Sequence, residues 1–166
     1  IVDIDEDPIA VAAIVERLDE FRHLAGILAV GSVPFRLAVT ATESGLDVQA
    51  QGLAKLSDET RLAAAGFSSK VGFARLSVDN EIVVEPKKPS VTFGATNVYP
   101  PPGAFLQATV AAENSMAELV MGHLAKAKRT ADLFAGCGTF ALRMAAHAEV
   151  HAVEADAAAL AALDRG

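Results

Sequence analysis

The sequence predicts an α/β protein in which a small α+β domain precedes the start of a parallel, doubly wound sheet. Residues 130–166 run strand, glycine turn, helix, strand and helix start, which is βαβα order. Residues 35–93 hold short period-2 segments separated by turn residues. Between the two, Tyr99-Pro100-Pro101-Pro102-Gly103 changes the composition abruptly. A proline run cannot continue a ladder and forms a stiff extended connector. The domain boundary is expected just before it, giving domains 1–98 and 99–166.

The chain has 166 residues, enough for one domain or for a small domain and part of another. Apolar residues make up 52%, which supports a packed core and argues against disorder. No apolar run is long enough to cross a bilayer, and the opening Ile1-Val2-Asp3-Ile4-Asp5-Glu6-Asp7 is acidic, unlike a secretory signal. The single cysteine, Cys137, excludes an intrachain disulfide and fits a reducing cytoplasm. Lysine and arginine number 14 against 21 acids, a net charge of −7. Phosphate binding rests on basic side chains, so no long nucleic-acid footprint is visible.

Taken in order, Pro8–Leu24 is expected to be a helix, because Ile9, Val11, Ile14, Val15, Leu18 and Phe21 recur at helical spacing and Pro8 suits a first turn. Phe35–Thr40 and Leu46–Ala50 alternate as strands around Glu43-Ser44-Gly45, a hairpin pattern. Ser57–Ala65 predicts a short helix with Ser57 as its N-cap. Strands follow at 73–78, 82–85 and 90–93, split by Asp79-Asn80 and Pro86-Lys87-Lys88-Pro89. The second domain begins with a helix over about 109–126. Strand Thr130–Phe134, helix Phe140–Ala146, strand Val150–Val153 and a helix from Ala155 follow. Two strands are fewer than an open α/β sheet normally holds, so the sheet is expected to be incomplete and the chain part of a longer enzyme. An open sheet edge invites pairing, which predicts self-association.

The chemistry centres on Asp132-Leu133-Phe134-Ala135-Gly136-Cys137-Gly138-Thr139-Phe140, answered by Glu154. Gly136 to Ala141 fits G-x-G-x-x-G/A, and Glu154 follows Gly136 by 18 residues, so the pattern also satisfies a dinucleotide fingerprint. Glycines serve both readings, because the chain must turn sharply and leave room for a ligand. Asp132 separates them. A dinucleotide brings a pyrophosphate to this turn, which an adjacent carboxylate would oppose. S-adenosylmethionine carries a sulfonium and an ammonium and no phosphate, so the same carboxylate favours it. Glu154, at the next strand end, can accept ribose hydroxyls in either case.

Gly103-Ala104-Phe105-Leu106-Gln107-Ala108-Thr109, the helix after it, the Asp132–Phe140 turn and Val153-Glu154 together resemble the RNA uracil-5-methyltransferase family, whose members form 5-methyluridine in 23S rRNA or tRNA. The likeness is specific over 103–156 and looser over 1–102, including Ile1-Val2-Asp3-Ile4. It implies a class I, Rossmann-like methyltransferase domain, S-adenosyl-L-methionine as cofactor and RNA as partner. It implies that Gln107 contacts the methyl donor, Phe105 lies on the substrate side, Phe134 lines the donor pocket, Thr139 supplies a polar position at the helix start and Glu154 holds the ribose. With Asp132, Gly136 and Gly138, these form the expected site. Two departures bear on function. Thr109 stands where the family has asparagine. Asp7 stands where many members carry the last cysteine of an iron–sulfur ligand set, so no cluster is expected on this chain.

The chemistry of 5-methylation needs a thiolate that adds to carbon 6 of uracil, giving an enolate that attacks the methyl group, and a base that then removes the carbon-5 proton. In the family both groups belong to the C-terminal part of the domain, so no catalytic residue is expected here. Cys137 sits inside the donor turn and reads as packing rather than as a nucleophile. His147 and His151 lack metal-ligand spacing, and the acidic start lacks the glycine and distal glutamate of a calcium loop. Lys126, Lys128 and Arg129 suit the negative end of the preceding helix. The competing readings are a class I methyltransferase with another substrate, a dinucleotide-dependent oxidoreductase, and a non-catalytic RNA-binding module.

Overall fold

The computed structural model describes residues 4–5 and 7–166. Expectations that touch Ile1, Val2, Asp3 and Glu6 lie outside the described residues. The chain forms two compact units, one ending at Pro89 and one running from Ser90 to Gly166.

In the first unit the elements are α1 (Ala12–Val15), α2 (Leu18–Leu28), β1 (Arg36–Thr42), β2 (Gly45–Gln51), α3 (Asp58–Val71), β3 (Arg75–Val78) and β4 (Glu81–Val84). The strands form one sheet in the order β1-β2-β3-β4. The hairpin is present as the alternation implies: β1 and β2 pair antiparallel from Arg36↔Gln51 to Thr42↔Gly45. Strand β3 lies parallel to β2, with α3 as the crossover between them. Along β2, Leu46, Val48 and Ala50 alternate onto the core face and meet Phe21, Leu24, Leu28, Ala64, Phe73 and Leu76. Phe21 stacks on Phe73 at 5.6 Å, and Phe67 meets the same ring edge-on at 6.5 Å. On the opposite face Arg75 grips Asp47 through two charge-assisted hydrogen bonds of 2.9 and 2.6 Å.

Two helices differ from their expected spans. The single helix Pro8–Leu24 is instead a turn and two helices. The Asp7 carboxylate accepts the N–H groups of Ile9 and Ala10, which holds Pro8 in a local turn, and Ile9 is left exposed. Arg17 then leaves the helical region (φ −120°, ψ 16°) while its guanidinium donates to the Val71 carbonyl and lies 5.0 Å from the Phe73 ring centre. Those partners are far away in sequence, so the apolar periodicity cannot show the break. Helix α3 does start with the Ser57 hydroxyl accepting from the Thr60 N–H (3.1 Å), but it continues to Val71.

The second unit comprises β5 (Val91–Phe93), β6 (Thr96–Val98), α4 (Val110–Leu124), β7 (Arg129–Leu133), α5 (Ala141–Ala145), β8 (Glu149–Val153) and α6 (Ala157–Asp164). Strand β6 was not expected. It pairs antiparallel with β5, Val91↔Val98 to Phe93↔Thr96, and Phe93 and Val98 join Cys137, Ala159 and Ala162 in this unit's core. That packing places the 91–98 hairpin in the second unit, although it precedes the proline run at which the sequence suggests a boundary. Strands β7 and β8 run parallel, Arg129↔Glu149 to Leu133↔Val153, with α5 between them. Lys126, Lys128 and Arg129 all fall beyond the end of α4; Arg129 opens β7 beside Glu149 instead of serving the helix end. Among the described residues, no helix is long and apolar enough to cross a membrane.

Candidate functional site

The parallel register of β7 and β8 brings two carboxylates to adjacent strand ends. Asp132 stands beside Ala152, one residue before the end of β7, and Glu154 immediately follows β8. In open α/β sheets, ligands bind beyond the carboxyl ends of the strands. Asp132 is on the half-buried face of β7 with Thr130, whereas Leu133 faces outward.

Between β7 and α5 the backbone turns sharply. Phe134, Gly136 and Gly138 have φ of +64°, +55° and +102°, in the range that L side chains rarely adopt. The two glycines serve different ends. A Cβ on Gly138 would come within 2.9 Å of both Cγ and Cδ1 of Leu142 and 3.1 Å of Leu163 Cγ, so Gly138 permits close packing of α5 and α6 beneath the turn. Among the described residues, a Cβ on Gly136 would meet nothing within 4 Å, so this glycine faces open space there. Phe134 accepts the same backbone region without being glycine, at a cost of about 1–2 kcal/mol, and its ring is 88% exposed.

Glu154 ties the turn to the second strand. One carboxylate oxygen accepts the Gly136 N–H at 2.8 Å, and the other accepts the Asp156 N–H at 2.9 Å. These hydrogen bonds, to Asp156 first and then Gly136, hold its carboxyl below the usual glutamate value. An ionised carboxylate offers about four lone-pair positions, so acceptor capacity remains for hydroxyl donors. Asp132 behaves oppositely. Burial pushes its carboxyl above the usual value, partly opposed by the Ala141 N–H, and its Oδ2 is buried with no hydrogen-bond partner among the described residues. Cys137 is 2% exposed, and burial together with the charges of Asp156 and Glu154 pushes its thiol up to about 11. The thiol is therefore protonated near neutrality and is not a nucleophile in this state.

The loop between β6 and α4 carries the other expected residues. Leu106, rather than Phe105, packs against the second core, while Phe105 is 78% exposed and Gln107 half-buried. Thr109 is the N-cap of α4, its hydroxyl accepting the Ala112 N–H at 3.1 Å, which accounts locally for a threonine at this position. Thr139 precedes the Phe140 N-cap of α5, and its carbonyl accepts from Arg143 at 2.8 Å. Sequence reasoning passed over Arg143 and Glu113, whose side chains pair at 2.7 Å where both are nearly buried. The available signal was a lone arginine within the otherwise apolar run Ala141–Ala145. A cavity of about 680 Å³ lies against Gly94, Asn114, Glu118, Met121, Arg143 and His147, and none of the expected site residues lines it.

No protein-family model matches the chain. It is 59% identical over 166 residues to an uncharacterized RNA methyltransferase of Brucella suis, 57% identical over 166 residues to one of Mesorhizobium japonicum, and 37% identical over 169 residues to one of Caulobacter vibrioides. These alignments take in 98–100% of this chain but only 40% of each relative, so the chain spans two fifths of the length of the curated relatives it matches. Among solved structures, it superposes on the Pyrococcus abyssi tRNA (uracil-54, C5)-methyltransferase in complex with S-adenosyl-L-homocysteine with a TM-score of 0.71 and 16% identity, over 99% of this chain and 45% of that one. It also superposes on the M. jannaschii tRNA m1G37 methyltransferase with a TM-score of 0.53 and 11% identity, over 99% of this chain and 50% of that one. At such identities the likeness concerns the fold alone: the chain has a Rossmann-like α/β unit preceded by a small α+β unit.

Proposed function

We propose that this chain is part of an S-adenosyl-L-methionine-dependent RNA methyltransferase that forms 5-methyluridine in rRNA or tRNA, and that Asp132–Phe140 with Glu154 seats the methyl donor. The observation that carries the reading is the Glu154 carboxylate on the Gly136 N–H. A pyrophosphate would need that amide free and a positive field around it. Here the amide is taken by a negative charge, and Asp132 places a second one at the neighbouring strand end. Helix α5 has five residues, too short to contribute a strong dipole toward an anion. The same two carboxylates suit a ligand with a cationic amino acid portion and a ribose.

In this reading Asp132 faces the cationic part of the donor, Glu154 accepts ribose hydroxyls with its remaining lone pairs, and the exposed Phe134 ring offers a stacking face. Gln107 and Phe105 approach from the loop before α4, on the donor and substrate sides respectively, and Thr139 supplies a polar position. The second unit, Ser90–Gly166, forms the first part of the methyltransferase domain, and the preceding residues form the central domain. The thiolate and base required for 5-methylation lie in the part of the relatives' length that this chain does not span. RNA is the partner, and the relatives' names support it.

The test is calorimetry of the chain with S-adenosylhomocysteine and, separately, with NAD. Saturable binding of S-adenosylhomocysteine, abolished by Glu154→Ala, is expected. Tighter binding of NAD would overturn the proposal.

A further inference from the structure

Arg143 joins the two segments that flank the candidate site. One guanidinium nitrogen donates to the Thr139 carbonyl at the end of the glycine turn (2.8 Å). The other donates to Glu113 Oε1 (2.7 Å) and Asn114 Oδ1 (3.0 Å), both in the first turns of α4. The side chain is 12% exposed and that of Glu113 is 11% exposed, so the pair is held away from solvent. The guanidinium also lies 5.8 Å from the centre of the Phe93 ring. A Cβ on Gly94 would approach Arg143 Cγ to 3.2 Å, so the β5–β6 turn confines the arginine from that side.

Helix α4 begins just after Phe105-Leu106-Gln107, and Thr139 closes the turn that begins at Asp132. We infer that Arg143 is a positioning residue that sets the Phe105–Gln107 segment against the Asp132–Phe140 turn, so that a donor meets both at once. A planar fork with several fixed donors can bind a carbonyl and two side-chain oxygens together, whereas an ammonium on a flexible stem is a single point charge. The inference rests on the donor-site reading above, and its consequence for the empty protein is that the two segments share one stability.

The experiment uses Arg143→Lys, Arg143→Met and the double variant Arg143→Met/Glu113→Gln in the whole chain. Removing only the arginine strands a buried carboxylate, and Gln at 113 relieves that charge without restoring the tether to Thr139. The double variant is therefore expected to regain thermal stability over Arg143→Met, yet still bind S-adenosylhomocysteine about tenfold more weakly than wild type. Arg143→Lys is expected to fold and to show the same loss of affinity. Leu124→Ala, at the far end of α4, should lower stability and leave affinity unchanged.

Amide hydrogen exchange on the empty protein tests the coupling without a donor. Exchange at 134–140 and at 105–113 is expected to speed up together in both Arg143→Lys and the double variant. Wild-type affinity in the double variant, or exchange that rises at only one of the two segments, would overturn the inference. If wild type fails to bind S-adenosylhomocysteine, the donor-site reading falls, and the exchange result alone decides the coupling.

Discussion

Gly136 and Gly138 occupy alternate positions of one turn and both have positive φ, yet alanine should affect them very differently. At Gly138 the φ of +102° imposes backbone strain of about 1–3 kcal/mol on a side-chain-bearing residue. The new methyl would also lie 2.9 Å from two Leu142 atoms and 3.1 Å from Leu163 Cγ. Forcing an extra carbon into such packing adds about 1–3 kcal/mol. Loss of unfolded-state entropy returns about 0.4–1 kcal/mol. The net destabilisation by Gly138→Ala centres on about 3 kcal/mol. Gly136→Ala carries left-handed strain of about 1–2 kcal/mol but meets nothing within 4 Å. After the same entropic offset, its cost centres on about 1 kcal/mol. Urea unfolding can separate them, because the chain has one tyrosine, Tyr99, and no tryptophan, and Tyr99 belongs to the second unit. With an m-value of about 2 kcal/mol/M, Gly138→Ala should shift the Tyr99 transition by roughly 1–2 M and Gly136→Ala by well under 1 M. Equal shifts would refute the separate roles assigned to the two glycines.

The two carboxylates should respond to pH in opposite directions. Glu154 is held below its ordinary value, so its contribution is present above that value and lost as pH falls through the lowered folded-state pKa. Glu154→Gln should therefore be less stable than wild type at about pH 7, with the gap closing toward about pH 3; a gap that stays constant in a thermal melt series would contradict this. Asp132 is raised by burial, so its favourable contribution is confined to acid and disappears as pH rises through the folded-state pKa. Asp132→Asn should raise the melting temperature of the empty protein at neutral pH while weakening S-adenosylhomocysteine. A lower melting temperature there would show that the Asp132 carboxylate is not penalised.

Much of the local structure was legible from residue order. Alternation around Glu43-Ser44-Gly45 specifies a hairpin, because a period of two and a short polar turn suffice to set the register. Ser57 and Thr109 each precede a helix whose first free N–H groups need an acceptor, a requirement satisfied within three residues. The β5–β6 hairpin was also within reach, since Gly94-Ala95 separates two short β-prone triplets. Three residues make a weak periodic signal, however, and the proline run that follows suggested a domain boundary in the wrong place for their packing.

The sequence by itself determined the glycine turn, its order between two parallel strands and the identity of the acids at either strand end, because turn conformation and side-chain alternation are local properties. Only the tertiary structure decided how those acids are used. Glu154 reaches Gly136 across 18 positions to hold the turn, Asp132 is half-buried with an oxygen that has no hydrogen-bond partner among the described residues, and Arg143 reaches back to Glu113 across 30. The same holds for Arg17, which breaks its helix while contacting Val71 and Phe73. Interactions between residues so far apart follow from strand register and helix packing, and no window of neighbouring residues contains them.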